Sequence, residues 1–378
     1  MHLLVSLASH GWHPAAWRVA DVPGFAGAEP FRAMARLAER GGVDAVLVGP
    51  PSAPRALRES GRLDGIRMDP LPLLGTLIGA TDRIGLCAWW PGDVAEPFHV
   101  ARVFATLDHL SLGRTGWITG LEGAEERGER YRYAKFPDSE ADQAARLGEL
   151  IDVARQLWDS WEDQGFVVDQ ASGTFADPEH VHPIDHAGRF FTVRGPLNVP
   201  RPVQGQPVII HRDMPEGPMQ SVAAISAELV LAECATMTMA EAVTRRRDWQ
   251  TLAQQHGRDP EALRFIVRIM PILAGTEEAA LARAAELDRL ADGASPPENV
   301  VRFVGTPERF ADWLAQWRAA GACDGFDILP AVMPLDLAMV VEQVVPLLRR
   351  RDLRPAGYEQ ASLRGHLGLQ RAASRFAA

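Results

Sequence analysis

Short runs of apolar residues recur along the chain, each followed by a longer stretch in which apolar positions return every three or four residues. Eight runs predict strands: Leu3–Leu7, Asp44–Val48, Ile84–Trp89, Thr115–Thr119, Pro207–His211, Leu229–Ala232, Phe265–Ile272 and Phe326–Pro330. They are apolar on successive positions, as strands buried on both faces must be. Between them, Phe31, Met34, Leu37 and Ala38 share one helical face, and Gly41-Gly42 supplies a stop. Thr306-Pro307-Glu308 opens another helix with a threonine cap and a proline at the first position; Phe310, Trp313, Leu314 and Trp317 form its inner stripe. Strand followed by helix, repeated eight times, predicts an α/β fold closed into a (β/α)8 TIM barrel.

The interval Trp158–Gln206 breaks this rhythm. It is rich in Asp, Gly, Pro and His and has no helical period, which predicts a long insertion (158–206) between the fourth helix and the fifth strand. One barrel domain is expected over residues 1–350. The basic, polar tail 351–378 is suited to packing on the barrel or against a partner subunit.

Composition narrows the function classes. A formal charge of -10 and an estimated pI of 5.6 argue against a nucleic-acid partner. No apolar stretch approaches the length of a membrane span, and the start lacks a basic leader, so a cytoplasmic protein without a membrane role is expected. Cys87, Cys234 and Cys323 match no metal or redox spacing and read as buried thiols. No two glycines are separated by a single residue, which excludes the dinucleotide fingerprint G-x-G-x-x-G; Lys135 is the only lysine and stands in no P-loop.

Several strings are more specific. Glu96-Pro97-Phe98-His99-Val100-Ala101-Arg102 and Leu107-Asp108-His109-Leu110-Ser111-Leu112-Gly113-Arg114-Thr115-Gly116-Trp117 occupy the third helix and fourth strand. The insertion carries Asp185-His186-Ala187-Gly188-Arg189-Phe190-Phe191 and Val193-Arg194-Gly195-Pro196-Leu197-Asn198-Val199-Pro200, and Leu363-Arg364-Gly365-His366-Leu367-Gly368-Leu369 follows near the end. With these strings the chain resembles the bacterial-luciferase-like flavin monooxygenases. Within them it is similar to the branch holding nitrilotriacetate monooxygenase, pristinamycin synthase and dibenzothiophene-sulfone monooxygenase. The resemblance implies a TIM barrel that assembles as a homodimer or homotetramer. It also implies reduced FMN supplied by a separate flavin reductase, O2 activated as a flavin peroxide, and one oxygen atom inserted into a small organic substrate.

The resemblance also nominates residues. His13 matches a family histidine; as a catalytic group it would face flavin or substrate, and the alternative is a loop histidine that fixes the Pro14–Trp17 turn. Trp89, Thr119, Tyr131, His211, Arg212 and Gly217 stand where the cofactor is bound, and Trp90, Phe190 and Phe191 are expected to line the substrate pocket. Of Trp89 and Trp90, one should face the site and one the helices, because neighbouring strand residues point to opposite faces.

The chain departs from the family where the flavin would sit. Pro50 replaces an aspartate, Trp89-Trp90-Pro91 replaces small hydroxyl residues, and Ile118-Thr119-Gly120 replaces Asn-x-Val-Thr. His211-Arg212-Asp213-Met214-Pro215-Glu216-Gly217-Pro218 replaces the phosphate-holding Gln-Ala-Gly-x-Ser loop. Arg212 and a helix N-terminus could still receive an anion there, whereas Asp213 and Glu216 repel one. The departures raise an alternative: a homologue without flavin that serves as a binding or regulatory subunit. A further alternative is a metal-dependent barrel hydrolase built on His180, His182, His186, Asp177 and Asp185. The metal-free reading, in which that cluster belongs to the insertion's hairpin, is favoured and no metal ligand is assigned. Asp108-His109 reads as structural, since adjacent helix residues diverge.

Overall fold

A computed structural model describes residues 1–21, 27–49, 68–121, 137, 139–213, 216–233, 237–294 and 300–376. Eight parallel strands close into a barrel: β1 (His2–Leu7), β2 (Ala45–Val48), β3 (Gly85–Trp89), β4 (Thr115–Thr119), β9 (Val208–Arg212), β10 (Leu229–Ala232), β11 (Arg264–Leu273) and β13 (Gly325–Ile328). The ring shuts where β13 pairs with β1, His2 opposite Gly325, and where β10 pairs with β11, Leu229 opposite Arg264. Strand β12 (Val301–Gly305) is a ninth parallel strand that the apolar pattern does not predict. It lies outside the ring, pairing Val301 with Ile269, because β11 outlasts the neighbours that cover its first half.

Helices fill the connections. Glu29–Arg40 follows β1, Pro70–Ile78 follows β2, Pro97–Leu110 follows β3, and Glu140–Trp158 follows β4. Local chemistry sets their starts. Ser139 accepts from the Asp142 N–H, Thr238 and Glu241 form a reciprocal capping box, and Thr306 accepts from the Arg309 N–H ahead of Pro307. Among the described residues no helix is long and apolar enough to cross a membrane.

Strand alternation splits the core in two. Leu4, Ala45, Leu47, Cys87, Trp89, Ile118, Val208, Ile210, Leu229, Leu231 and Ile266 point inward and form one lumenal cluster. Their neighbours Leu3, Val5, Val46, Leu86, Val230 and Phe265 point outward under the helices. Two residues from outside the strands, Leu363 and Leu367, complete the lumenal cluster from the tail. They seal its N-terminal mouth, and glycines make room: a Cβ at Gly85 would sit 2.5 Å from Leu363 Cδ1. Arg364 ties the plug down through Glu228 at 2.9 Å and through its own N–H to Gln204 at 2.9 Å.

The insertion is two small antiparallel hairpins, β5 (Phe166–Asp169) with β6 (Thr174–Ala176), and β7 (His186–Ala187) with β8 (Thr192–Val193). Glu149 on the Glu140–Trp158 helix holds the second hairpin. It accepts the N–H groups of Phe190 and Phe191 and lies 3.1 Å from His186 Nε2. Burial pushes its carboxyl up, yet His186 and these two amides hold it below the ordinary glutamate range.

Candidate active site

Inward positions near the C-terminal ends of β1, β13, β11, β10 and β9 carry Ser6, Asp327, Arg268, Glu233 and Arg212, and these five form a continuous polar ladder. Asp327 Oδ2 accepts from Ser6 Oγ at 2.8 Å and from Arg268 Nε at 3.2 Å. Arg268 Nη1 reaches Glu233 Oε1 at 2.9 Å, and Arg212 closes on the same carboxylate with Nε and with Nη2, the latter at 2.7 Å. Trp12 supports the ladder: its indole donates to the Ser6 carbonyl at 2.8 Å, and the Arg268 guanidinium lies 5.9 Å from its ring centre. Asp327 is wholly buried; burial pushes its carboxyl above the usual range, with Arg268 opposing. Its Oδ1 has no partner among the described residues.

The opposite wall is apolar: Leu47, Trp89 and Ile118 from β2, β3 and β4. Trp89 is only 3% exposed, and its indole N–H also finds no partner among the described residues. A Cβ at Gly120 would lie 3.2 Å from Trp89 Cη2, so the glycine leaves space for the ring. The barrel rim is thus a cup with one charged and one apolar side. Beside it, an open cavity of about 550 Å³ runs from Glu233 along Met237, Glu241, Thr244, Arg245 and Asp248.

The nominated residues distribute unevenly. Trp89 and Arg212 share the cup. Trp90 does not: it turns to the helix layer, 6.3 Å from Phe104, and accepts at its carbonyl from Trp117 Nε1. Phe190 and Phe191 pack on that same outer cluster, held by Glu149, with Arg146 over Phe191 at 4.7 Å. Those placements put Trp90, Phe190 and Phe191, the residues expected to line the substrate pocket, on the outer cluster and not in the cup. Strand parity turns the first outward, and two backbone anchors fix the others. Thr119 and His211 also face outward, since Ile118 and Ile210 take the lumen. The Ser226 hydroxyl donates to Val222, so its oxygen accepts from His211 Nε2–H at 2.9 Å. Burial, reinforced by Arg155, pulls His211 down to about 3.

His13 is sealed in its turn. Its Nδ1 accepts from the Ala15 N–H at 3.2 Å, so Nε2 carries the proton and donates to Asp288 at 3.2 Å, which Arg302 holds in turn. Both ring nitrogens are thus engaged within the fold, the geometry that the turn-fixing alternative expects. Tyr131, Pro50, Pro215 and Cys234 lie outside the described residues. In the insertion, His180 and His182 both approach Glu162 whereas His186 goes to Glu149, and among the described residues no group of three such side chains could hold a metal. Asp108 accepts from Gln204, and His109 Nε2–H donates to the Pro200 carbonyl at 3.1 Å, both as scaffold contacts.

Sequence reasoning missed Ser6, Glu233, Arg268 and Asp327. A signal was available: an arginine and an aspartate interrupt otherwise apolar strands at inward parity, and a buried charge implies a partner.

The luciferase-like monooxygenase model matches residues 9–301. The chain belongs to that family. It is a flavin-dependent monooxygenase by class. It is 33% identical to N-acetyl-S-(2-succino)cysteine monooxygenase of Bacillus subtilis (strain 168), covering 99% of this chain and 97% of that one. It is 30% identical to dibenzothiophene-sulfone monooxygenase of Rhodococcus erythropolis, covering 94% and 93%. Among solved structures it is similar to EDTA monooxygenase from Chelativorans sp. BNC1, with a TM-score of 0.85, 25% identity and 98% of both chains covered.

Luciferase-like monooxygenases use flavin, and the cup fits its ring end: guanidinium donors face an apolar wall whose Trp89 N–H has no partner among the described residues. The Gly217 turn, where the resemblance expects the phosphate, is less generous. Gly217 caps the Pro218–Ser226 helix, and Pro218 removes an amide donor there. Glu140 already puts a carboxylate oxygen 2.9 Å from where a Gly217 Cβ would stand.

Proposed function

We propose that this chain is the oxygenase component of a two-component system. It takes FMN reduced by a separate flavin reductase and inserts one oxygen atom of O2 into a small organic substrate with an apolar or aromatic body. The observation that carries this reading is the two-sided cup at the C-terminal rim, where Trp89 presents a buried N–H without a partner among the described residues, opposite Arg268 and Arg212. Reduced flavin, when bound, supplies the electrons that activate O2. The protein's own part is to hold the ring against Trp89, to keep water out with Leu47 and Ile118, and to fix donors on the facing wall. Trp89 and Arg212 would contact the cofactor, with Gly217 and Tyr131 toward its phosphate. His211 and Thr119 would support that contact from behind the strands.

Anaerobic titration with photoreduced FMN tests the reading. Saturable binding below about a millimolar supports it, and no binding at that concentration sinks it. The same experiment decides a second reading, favoured by Glu140 at the Gly217 cap: a flavin-free homologue that binds or regulates an active relative. We also propose a homodimer or homotetramer. The β5–β6 hairpin exposes Phe166, Val167, Val168 and Phe175 together, which suits an interface. Light scattering that gives a monomer at micromolar concentration would remove that part.

A further inference from the structure

Arg212 and Arg268 share one carboxylate, Glu233, and neither guanidinium is used up. Arg268 spends Nε on Asp327 and Nη1 on Glu233; Arg212 spends Nε and Nη2 on Glu233. Nη2 of Arg268 and Nη1 of Arg212 donate to nothing among the described residues, and both side chains stem from inward positions. Arg268 is 12% exposed and Arg212 37%, so the free edges open onto the cup. Taken by themselves, Arg212, Arg268 and Glu233 sum to one positive charge. Asp327, the other acid of the ladder, lies beneath Arg268, wholly buried and pressed by that burial toward its neutral form.

We propose that Arg268 and Arg212, bridged by Glu233, form a clamp for a carboxylate on the organic substrate, whose apolar body extends across the cup toward the apolar wall. The inference rests on the oxygenase reading and adds the substrate's charge class. A single net charge matches a monoanionic carboxylate, and guanidinium edges match its planar oxygens. Glu233 fixes both arginines before a ligand arrives, which lowers the ordering cost of binding. A cofactor phosphate fits this place less well: it is more highly charged, and Glu233 stands beside it.

The test compares 3-phenylpropanoate with 3-phenylpropanamide, which share a body and differ in charge. Binding is read by calorimetry and by quenching of tryptophan fluorescence. The wild-type protein is expected to bind the acid at least about ten-fold more tightly than the amide. R212M and R268M should shrink that preference to about two-fold or less, and R268K should keep part of it. R268M strips a buried acid of its partner and could fail to fold; R212M alters a more exposed residue and keeps the test decisive. Equal binding of acid and amide to the wild type, or an undiminished preference in R212M, overturns the clamp.

Titrating reduced FMN and reduced riboflavin into R212M separates the sources. A loss confined to FMN means that the arginines grip the cofactor phosphate, and the proposal falls. A lost acid preference, with the affinities for FMN and riboflavin changed by the same factor, supports it. If the wild type binds no reduced flavin yet still prefers the acid, the oxygenase reading falls and the clamp stands.

Discussion

At the N-terminal mouth of the barrel the lumen is filled by Leu363 and Leu367, and the facing strands carry glycines so that the leucines fit. At the C-terminal rim the same eight strands present five polar side chains on one side and Trp89 on the other, and Asp327 Oδ1 and Trp89 Nε1 have no partner among the described residues. Both ends are shaped by inward strand positions, and they differ in what is left over. The mouth is closed by the chain itself, with apolar contact satisfied. The rim keeps unmet hydrogen-bonding capacity, which is costly unless something outside the fold meets it. The contrast teaches where this chain spends its core on stability and where it holds chemistry in reserve.

The sharpest way to break that contrast is at the mouth. Leu363→Ala should cost about 2–5 kcal/mol of stability, measured by chemical denaturation, with ligand affinity at the rim unchanged in the folded fraction. A loss of affinity as large as the loss of stability would erase the distinction between the two ends.

A pH dependence comes next. The folded state holds His211 neutral down to about 3, whereas the unfolded chain takes up that proton near the ordinary value of 6.5. The unfolded state therefore binds more protons between those values, and stability falls as pH drops through the window. The expected loss between pH 6.5 and 5 is about 2 kcal/mol, and His211→Gln should flatten it. Denaturation midpoints at several pH values would show a slope that survives the substitution if another group is responsible.

Trp89→Phe sharpens the rim side. It removes a donor that has no partner among the described residues together with part of a buried ring, so stability should fall by about 1–2 kcal/mol while reduced-flavin binding to the folded protein weakens by about 1 kcal/mol. Unchanged flavin affinity of the folded protein would mark Trp89 as packing alone. The smallest effect belongs to Glu140→Gln at the Gly217 cap. It should cost about 0.3–1 kcal/mol of stability by withdrawing a negative charge from a helix N-terminus. It should also strengthen FMN binding relative to riboflavin; an unchanged ratio places the phosphate elsewhere.

The barrel was legible because its strands are apolar on both faces and its helices carry plain start signals such as Thr306-Pro307. Strand β12 was not, since Val301-Arg302-Phe303-Val304 lies outside the ring, half exposed, and mimics no buried run. For the site, the rule that adjacent strand residues diverge separated Trp89 from Trp90 in principle. It could not say which faced inward without the register that puts Cys87 in the lumen. His13, His211 and Thr119 were chosen by position along the chain. His13 finds Asp288 only through folding, on a helix far along the chain, and His211 finds Ser226 at the end of the helix that follows its own strand. The ladder was missed because its members are spread from Ser6 to Asp327 and meet only when the ring closes.

The second hairpin of the insertion hangs on Glu149, and what Glu149 grips is mostly main chain: the amides of Phe190 and Phe191. An attachment made to peptide groups does not inspect the side chains they carry. Ala187, Arg189 and Thr192, which are exposed, can therefore be exchanged, and with them the surface shown to solvent or to another subunit, whereas His186 on Glu149, Gly188 against it and Phe191 in the outer cluster keep the hairpin on the barrel.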